Sequence, residues 1–314
     1  MKELEIIYED KDVLVIRKPA GVPVQSARVG AKDCESLLKN YLYRKNPKGG
    51  APYLGLIHRL DQPVEGLVVF ALNPKAAAAL SKQSAGKEMQ KTYLAVRHSV
   101  DKCPHPVPNE EKFCGKPVDN VENLVENWNE CVDYLWKDGK NNRSEMVQEG
   151  HAGAKKAVLR YRILKRVDNL EMLEIRLETG RHHQIRVQMA GRGTPLVGDR
   201  KYGKVENYVD NVDNSFPALC AYRIKFRHPS TGKWMEFERK PENPVFQKFM
   251  EISYPQRKTL IFADTTTDRK GRSRSLFRGL SVQADAKGAA LWNGCGNIRT
   301  CGRKSESQWR SGLQ

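Results

Sequence analysis

Two stretches of this chain alternate strictly. In AKKAVLRYRILKR, Ala157, Leu159, Tyr161 and Ile163 fall at every second position, and in LEMLEIRLETG Leu173, Ile175 and Leu177 do the same. A period of two places apolar side chains on one face of a strand, so a chain built this way must form a sheet with a buried face. Other segments agree. LEIIYEDKDVLVIRKPAGVPVQS reads as a hairpin, with Ile6–Tyr8 and Val13–Ile16 around an acidic turn, and LCAYRIKFRHPSTGKWMEFE reads as another around Pro-Ser-Thr-Gly. Gly66–Ala71 is a buried strand and Thr92–Arg97 a further one. Helices are fewer. ESLLKNYLYRK puts Leu37, Leu38, Tyr41 and Leu42 on one helical face, QIRVQMAG is short and helical, and NPKAAAALSKQSAG has Asn73 as N-cap, Pro74 at the first helical position and Gly86 at the end. Hairpins dominate, which predicts an α+β fold: a mostly antiparallel mixed sheet with flanking helices. There is no internal repeat and no phosphate-binding glycine loop.

The periodicity bounds the folded part. Residues 1–255 are expected to form a single domain. Within it, residues 101–150 are polar and rich in Asn, Glu and Asp, and read as a surface insertion with a short helix near Val121–Trp128. After Pro255 no period is sustained, and residues 256–314 are expected to be a basic, disordered tail with 12 Lys/Arg against 4 Asp/Glu. The whole chain carries a net charge of +17. The rest of the chain therefore stays basic without that tail, and this points to a polyanionic partner, most simply nucleic acid. The seven cysteines are scattered without CxxC spacing, which indicates neither a disulfide framework nor a zinc site. No stretch has the length of a membrane span and the first residues lack a signal-peptide core, so a cytoplasmic protein is expected.

One carboxylate stands out. In IHRLDQPVEGLVVF, Asp61 lies at the mouth of the buried strand, two residues after Arg59 and just ahead of Pro63 and Gly66. An acid before Gln-Pro can simply close a turn with its own backbone. At the start of a buried strand, however, its charge is costly unless a cation pairs with it. The best source is LETGRHHQIRVQMAGRGTPLVGDRKYG, where Gly180 ends a strand and Arg181, His182, His183 and Arg186 follow. Arg181 and Arg186 are five apart and diverge on a helix, so one can reach the carboxylate and the other stays free for phosphate. Neighbouring histidines point apart on a helix, which argues against a metal site. In GKEMQKTYLAVRH, Lys91 and Tyr93 share one side of a strand, a basic residue beside an aromatic as a base-stacking surface needs.

HRLD followed by GLVVFA, then KTYLAV, then TGRHHQIR with GTPLVGDRKYG, in this order, resembles the RluA-type pseudouridine synthase family. The opening IIYEDKDVLVIRKPAGVPV and the hairpin AYRIKFRHPSTGKWMEF extend the likeness from about Glu3 to Pro244. The resemblance implies the pseudouridine synthase fold and an isomerase that converts uridine to pseudouridine in ribosomal or transfer RNA without cofactor or metal. It implies that Asp61 is the catalytic acid, that Arg186 pairs with it, that Tyr93 packs against the target base and that Arg59 helps hold the flipped-out nucleotide. His58, Lys91, Arg181 and His183 are the further expected RNA contacts. A cation beside Asp61 is expected to lower its pKa and keep it ionised. Structured RNA is the expected partner of a monomer that binds neither membrane nor metal. Three places depart from the common pattern: Val64–Glu65 stands where Thr-Ser is usual, His182 where Thr or Ser is usual, and Gln188 where His is usual. Two other readings compete. A catalytically silent RNA-binding protein should have lost Asp61 or its arginine, and a glycoside hydrolase needs a second acid across the bond.

Overall fold

The computed structural model describes residues 4–26, 30, 32–99, 128–203 and 215–250, together with two short strands further on. The chain divides into two units, Met1–Ser253 and Tyr254–Gln314. In the first, eleven strands form one sheet: β1 (Glu5–Glu9), β2 (Val13–Lys18), β3 (Gly55–Leu56), β4 (Glu65–Ala71), β5 (Gln90–His98), β6 (Asn129–Asp138), β7 (Arg143–Val147), β8 (Lys155–Val167), β9 (Leu170–Leu177), β10 (Leu219–Arg227) and β11 (Trp234–Glu238). Their order across the sheet is β1-β2-β4-β10-β5-β9-β8-β6-β7, with β3 beside β4 and β11 beside β10. The β4–β10 contact is the one parallel pairing among the described strands.

Helices cover both faces. On one face Leu14, Ile16, Val68, Phe70, Tyr93, Leu159 and Leu173 pack with Leu38 of α1 (Cys34–Lys45) and with Ile185 and Met189 of α3 (Gln184–Gly191). On the other face Val13, Val15, Leu67 and Val69 meet Ala76 and Leu80 of α2 (Pro74–Ala85). Further along that side, Leu94, Val96 and Met172 meet Phe246 and Phe249 around α4 (Gln247–Met250). This double cover explains why GLVVFA is apolar throughout: every residue of β4 is buried. The α2 caps are those the sequence predicts. Asn73 Oδ1 accepts the Ala76 N–H at 2.8 Å, and the Gly86 N–H donates to the Lys82 carbonyl at 2.8 Å.

Two expectations change. Residues 129–147 are not part of a surface insertion. They form β6 and β7, and β6 pairs with β8 through Cys131↔Leu159 and Val132↔Val158. The alternation was hidden because one inward position is Asp133, whose carboxylate meets Gln188 Nε2 at 2.5 Å and the Arg192 guanidinium at 2.8 Å, all buried. A buried acid fastened to α3 reads as a surface residue in the sequence. The expected helix near Val121–Trp128 lies almost wholly outside the described residues. In the second unit, within the segment expected to be disordered, Thr265–Thr267 pairs antiparallel with Ser273–Ser275. The remainder of 256–314 lies outside the described residues.

Gly66 fixes where β4 begins. It pairs with Ala221 of β10 at a φ of +134°, and a Cβ there would sit 2.5–2.7 Å from the Ala221 backbone and side chain. Backbone atoms cannot step aside, and the conformation is one that side chains rarely adopt. Gly66→Ala is therefore expected to destabilise the fold by about 2–4 kcal/mol, read as a lower urea midpoint.

Candidate active site

The site forms where two loops are stitched together on the α3 face of the sheet. Lys18, the last residue of β2, is fully buried, and its ammonium donates to the carbonyls of Pro19 (3.0 Å), Val22 (2.7 Å) and Gln62 (3.0 Å). The Gly21 N–H donates to the Gln62 carbonyl at 2.9 Å, and Gln62 Nε2 returns a bond to the Gly21 carbonyl at 3.0 Å. Asp61 sits beside this seam. Its own carbonyl closes a turn by accepting the Val64 N–H at 3.0 Å, so the turn is made by the backbone and not by the side chain. Burial pulls the Lys18 pKa down to about 8, opposed by the charges of Cys34, Asp61 and Glu65. At neutral pH the ammonium is thus still charged, and it lies close enough to pull Asp61 toward its ionised form.

The partner segment enters from β9. Thr179 Oγ1 accepts the Val158 N–H at 2.8 Å, and Gln184 bonds Thr179, the Arg181 N–H and the Val158 carbonyl, so the turn before α3 is held from both ends. His183 adopts a left-handed conformation with φ of +54° at the helix start. That conformation, uncommon for a side-chain-bearing residue, often marks a functional position. It also overturns the expectation that His182 and His183 point apart. The two residues precede the helix, and their rings stack with centroids 3.7 Å apart.

Arg186 carries the electrostatics. Its Nε and Nη2 form a two-pronged pair with Asp199, both bonds 2.7 Å. Its remaining nitrogen, Nη1, lies 3.4 Å from Asp61 Oδ2, and His183 Nε2 lies 3.7 Å from the same oxygen. The Arg186–Asp61 pairing is therefore the expected one, but the arginine is shared. The expected lowering of the Asp61 pKa is not found. Burial raises it above the ordinary carboxylate value, Arg186 and Lys18 pull it back, and the neighbouring Asp199 charge raises it again. The carboxylate keeps 26% of its side chain accessible, so it faces an open approach.

The other expected residues divide. Tyr93 is buried on the same face, and the Asp61 charge adds to burial in raising its phenol pKa. Lys91 is half-buried two residues away on the same strand face, its pKa lowered by burial. Arg59 is exposed. Arg181 is also exposed, but its Nε donates to the Lys156 carbonyl at 2.9 Å. His58 is a correction. It turns into the sheet, where Nε2 accepts the Val69 N–H at 3.2 Å, because β3 has only two residues and leaves that N–H without a strand partner. Burial, then the Lys91 charge, push its pKa down to about 3, so it is a neutral structural ring rather than an RNA contact. Asp199, Tyr202 and Lys18 were missed as site residues, although GDRKYG and the Lys-Pro loop stand in plain view in the sequence.

One group of possible metal ligands occurs among the described residues: Asp10, Asp12 and His228. His228 Nδ1 accepts the N–H groups of Ser230 and Thr231, so the proton sits on Nε2, which donates to Asp10 Oδ2 at 2.8 Å. Those bonds occupy the ring, and the group ties β1–β2 to the β10–β11 turn.

Comparison with known proteins gives the family. A family model described as RNA pseudouridylate synthase matches residues 12–191. An uncharacterized RNA pseudouridine synthase, YlyB, of Bacillus subtilis is 32% identical over 240 residues, covering 75% of this chain and 68% of that one. The ribosomal large subunit pseudouridine synthase D of Zymomonas mobilis is 32% identical over 243 residues, with the same coverage. Among solved structures, the human RNA pseudouridylate synthase domain containing 4 superposes with a TM-score of 0.57 at 19% identity, over 78% of this chain and 93% of that one, a likeness of fold. The chain belongs to the RNA pseudouridylate synthase family, as an RNA pseudouridine synthase of the RluA type. A catalytically silent binder on this fold is not favoured, since Asp61 and Arg186 are both present and face each other. No described helix is long and apolar enough to cross a membrane.

The Lys18 seam yields a test. Lys18→Met keeps the buried volume but strips three carbonyls of their donor, and is expected to cost about 3 kcal/mol of stability, measured by urea denaturation.

Proposed function

We propose that this enzyme isomerises a uridine of large-subunit ribosomal RNA, with Asp61 as the group that acts at the anomeric carbon. The observation that carries the reading is the placement of Asp61: a partly accessible carboxylate with Arg186 Nη1 at 3.4 Å and His183 Nε2 at 3.7 Å from one oxygen, on the sheet face that also presents Tyr93. The ribosomal substrate is supported by the named activity of relatives such as that of Zymomonas mobilis.

The chemistry follows from that geometry. The target nucleotide leaves the stack to reach a carboxylate this deep in the domain. Asp61, ionised, assists cleavage of the C1′–N1 bond, either as nucleophile at C1′ or by stabilising positive charge there. The freed uracil turns and C5 bonds to C1′, where any bond formed to Asp61 breaks and returns its electron pair to the carboxylate; C5 loses its proton and N1 gains one. Atoms balance, because product and substrate are isomers. Tyr93 packs against the base. Arg59, Lys91 and Arg181 supply positive charge around the flipped nucleotide, which suits phosphate.

The direct test compares the full chain with Asp61→Asn on ribosomal RNA lacking the modification, with pseudouridine mapped by carbodiimide chemistry. A site formed by the wild type and lost in the variant is expected; equal modification by both would sink this assignment. A second outcome follows from the raised Asp61 pKa. If activity needs the carboxylate ionised, the acid limb of the pH–rate profile lies above 3.8. Asp199→Asn removes a charge that raises the Asp61 pKa and frees Arg186 to act on Asp61 alone. The acid limb is expected to move to lower pH, while kcat at neutral pH falls about 10- to 100-fold because Arg186 has lost its mount.

A further inference from the structure

His183 approaches Asp61 through Nε2, and its other nitrogen is not free to choose its protonation. Nδ1 lies 2.7 Å from the Tyr202 hydroxyl. That hydroxyl already accepts the Ser144 N–H at 2.9 Å. Among the described residues the Nδ1 lone pair is the one acceptor within reach of the Tyr202 proton. Nδ1 as acceptor requires the proton on Nε2, the atom that faces the Asp61 carboxylate. The opposite tautomer would leave the Tyr202 proton without an acceptor among the described residues and set a nitrogen lone pair against a carboxylate oxygen.

We infer that His183 is a positioning residue that presents a neutral Nε2–H to Asp61, in a tautomer fixed by Tyr202 and, through Ser144, by the β6–β7 hairpin. This rests on the reading of Asp61 as the acting carboxylate.

Three further observations support it. First, both grips on Asp61 converge on Oδ2, one from Arg186 and one from His183. Neither contact uses the other oxygen, Oδ1. Second, the ring is kept uncharged. Burial, then the charges of Arg186, His182, Lys201 and Lys137, hold its pKa far below the ordinary value. A neutral donor orients the carboxylate without adding the second full charge that would quench its reactivity. Third, the hairpin is bound to the histidines at several points. Ser144 Oγ lies 2.8 Å from His182 Nδ1, Asn142 Oδ1 lies 3.0 Å from His182 Nε2, and Lys201 Nζ donates to the Asn142 carbonyl at 2.6 Å. His182 in turn stacks on His183. The distance of 3.7 Å from Nε2 to Asp61 is longer than a hydrogen bond, as in many enzymes before substrate closes the site.

The test uses the full chain labelled with 15N at histidine. Long-range proton–nitrogen correlation spectra separate the two neutral tautomers and the imidazolium, and His183→Gln identifies the His183 signal. The wild type is expected to show His183 neutral and protonated on Nε2 at neutral pH. Tyr202→Phe is expected to lose that single tautomer and to lower kcat about 10- to 100-fold, with a much smaller change in KM for RNA. Gln can place an amide N–H near the Nε2 position, so His183→Gln is expected to keep more of kcat than His183→Ala. A wild-type His183 protonated on Nδ1, or charged, overturns the proposal. So does a Tyr202→Phe enzyme that keeps its full kcat. An Asp61→Asn enzyme that stays active would remove the underlying reading instead. The tautomer, read from spectra without turnover, tells the two failures apart.

Discussion

The site depends on one guanidinium held between two carboxylates. Arg186 gives its two-pronged edge to Asp199, which is fully buried, and offers only one nitrogen, at 3.4 Å, to Asp61. The division is mechanically sensible. A planar fork matched to a carboxylate is among the most rigid polar contacts available, so Asp199 fixes the arginine and the arginine then sets where Asp61 can sit. The longer contact leaves Asp61 under-solvated and only partly neutralised, and its raised pKa follows. A carboxylate in that condition is more basic and more nucleophilic than one saturated by hydrogen bonds, which is what chemistry at an anomeric carbon asks for.

The remaining architecture keeps that triad in register. Asp61 lies on a loop, and loops drift unless something stops them. Lys18 is the stop, because one ammonium satisfies carbonyls on both sides of the seam. The parallel contact of β4 with β10 at Gly66 sets the other end, five residues after Asp61. On the opposing side, α3 is tied to the sheet by Gln184 at its start and by the Asp133–Gln188–Arg192 cluster along its length. The two halves of the site are thus carried by different parts of one sheet, and a displacement of either would open the Asp61–Arg186 distance.

Much of this was readable from the sequence, and the failures have definite causes. Strand and helix identities were legible wherever apolar residues kept their period, as in β8, β9 and α2. They were lost in β6, where the inward position of Asp133 breaks the pattern, because periodicity sees hydrophobicity and not pairing. Asp61, Arg186 and Tyr93 were legible through motif order, and the structure places them on one face. Arg186's principal partner, Asp199, was not singled out. Its segment is recognisable as a motif, but nothing local says that GDRKYG folds back onto α3. His58 misled for the converse reason. It sits three residues before Asp61 in sequence, yet the shortness of β3, invisible before folding, sends it into the sheet. The stacking of His182 on His183 needed a left-handed residue that no composition signals.

The departure at Val64–Glu65 now has a physical content. Glu65 is buried at the first position of β4, and its carboxylate accepts the N–H groups of Glu242 and Asn243, with Arg17 3.8 Å away. The hydroxyls that usually stand there could not reach so far or hold a charge. Here an acid anchors the segment after β11 against the root of the strand behind Asp61. Around the seam, the cations Lys18, Arg17 and Arg186 are thereby met by the carboxylates Asp61, Glu65 and Asp199, so this cluster is close to neutral. Arg59 and Arg181, by contrast, are exposed. Salt screens exposed charges over about 10 Å and hardly touches buried pairs. An exposed cation such as Arg59 and the buried set around Asp61 therefore answer to salt differently, the first strongly and the second little.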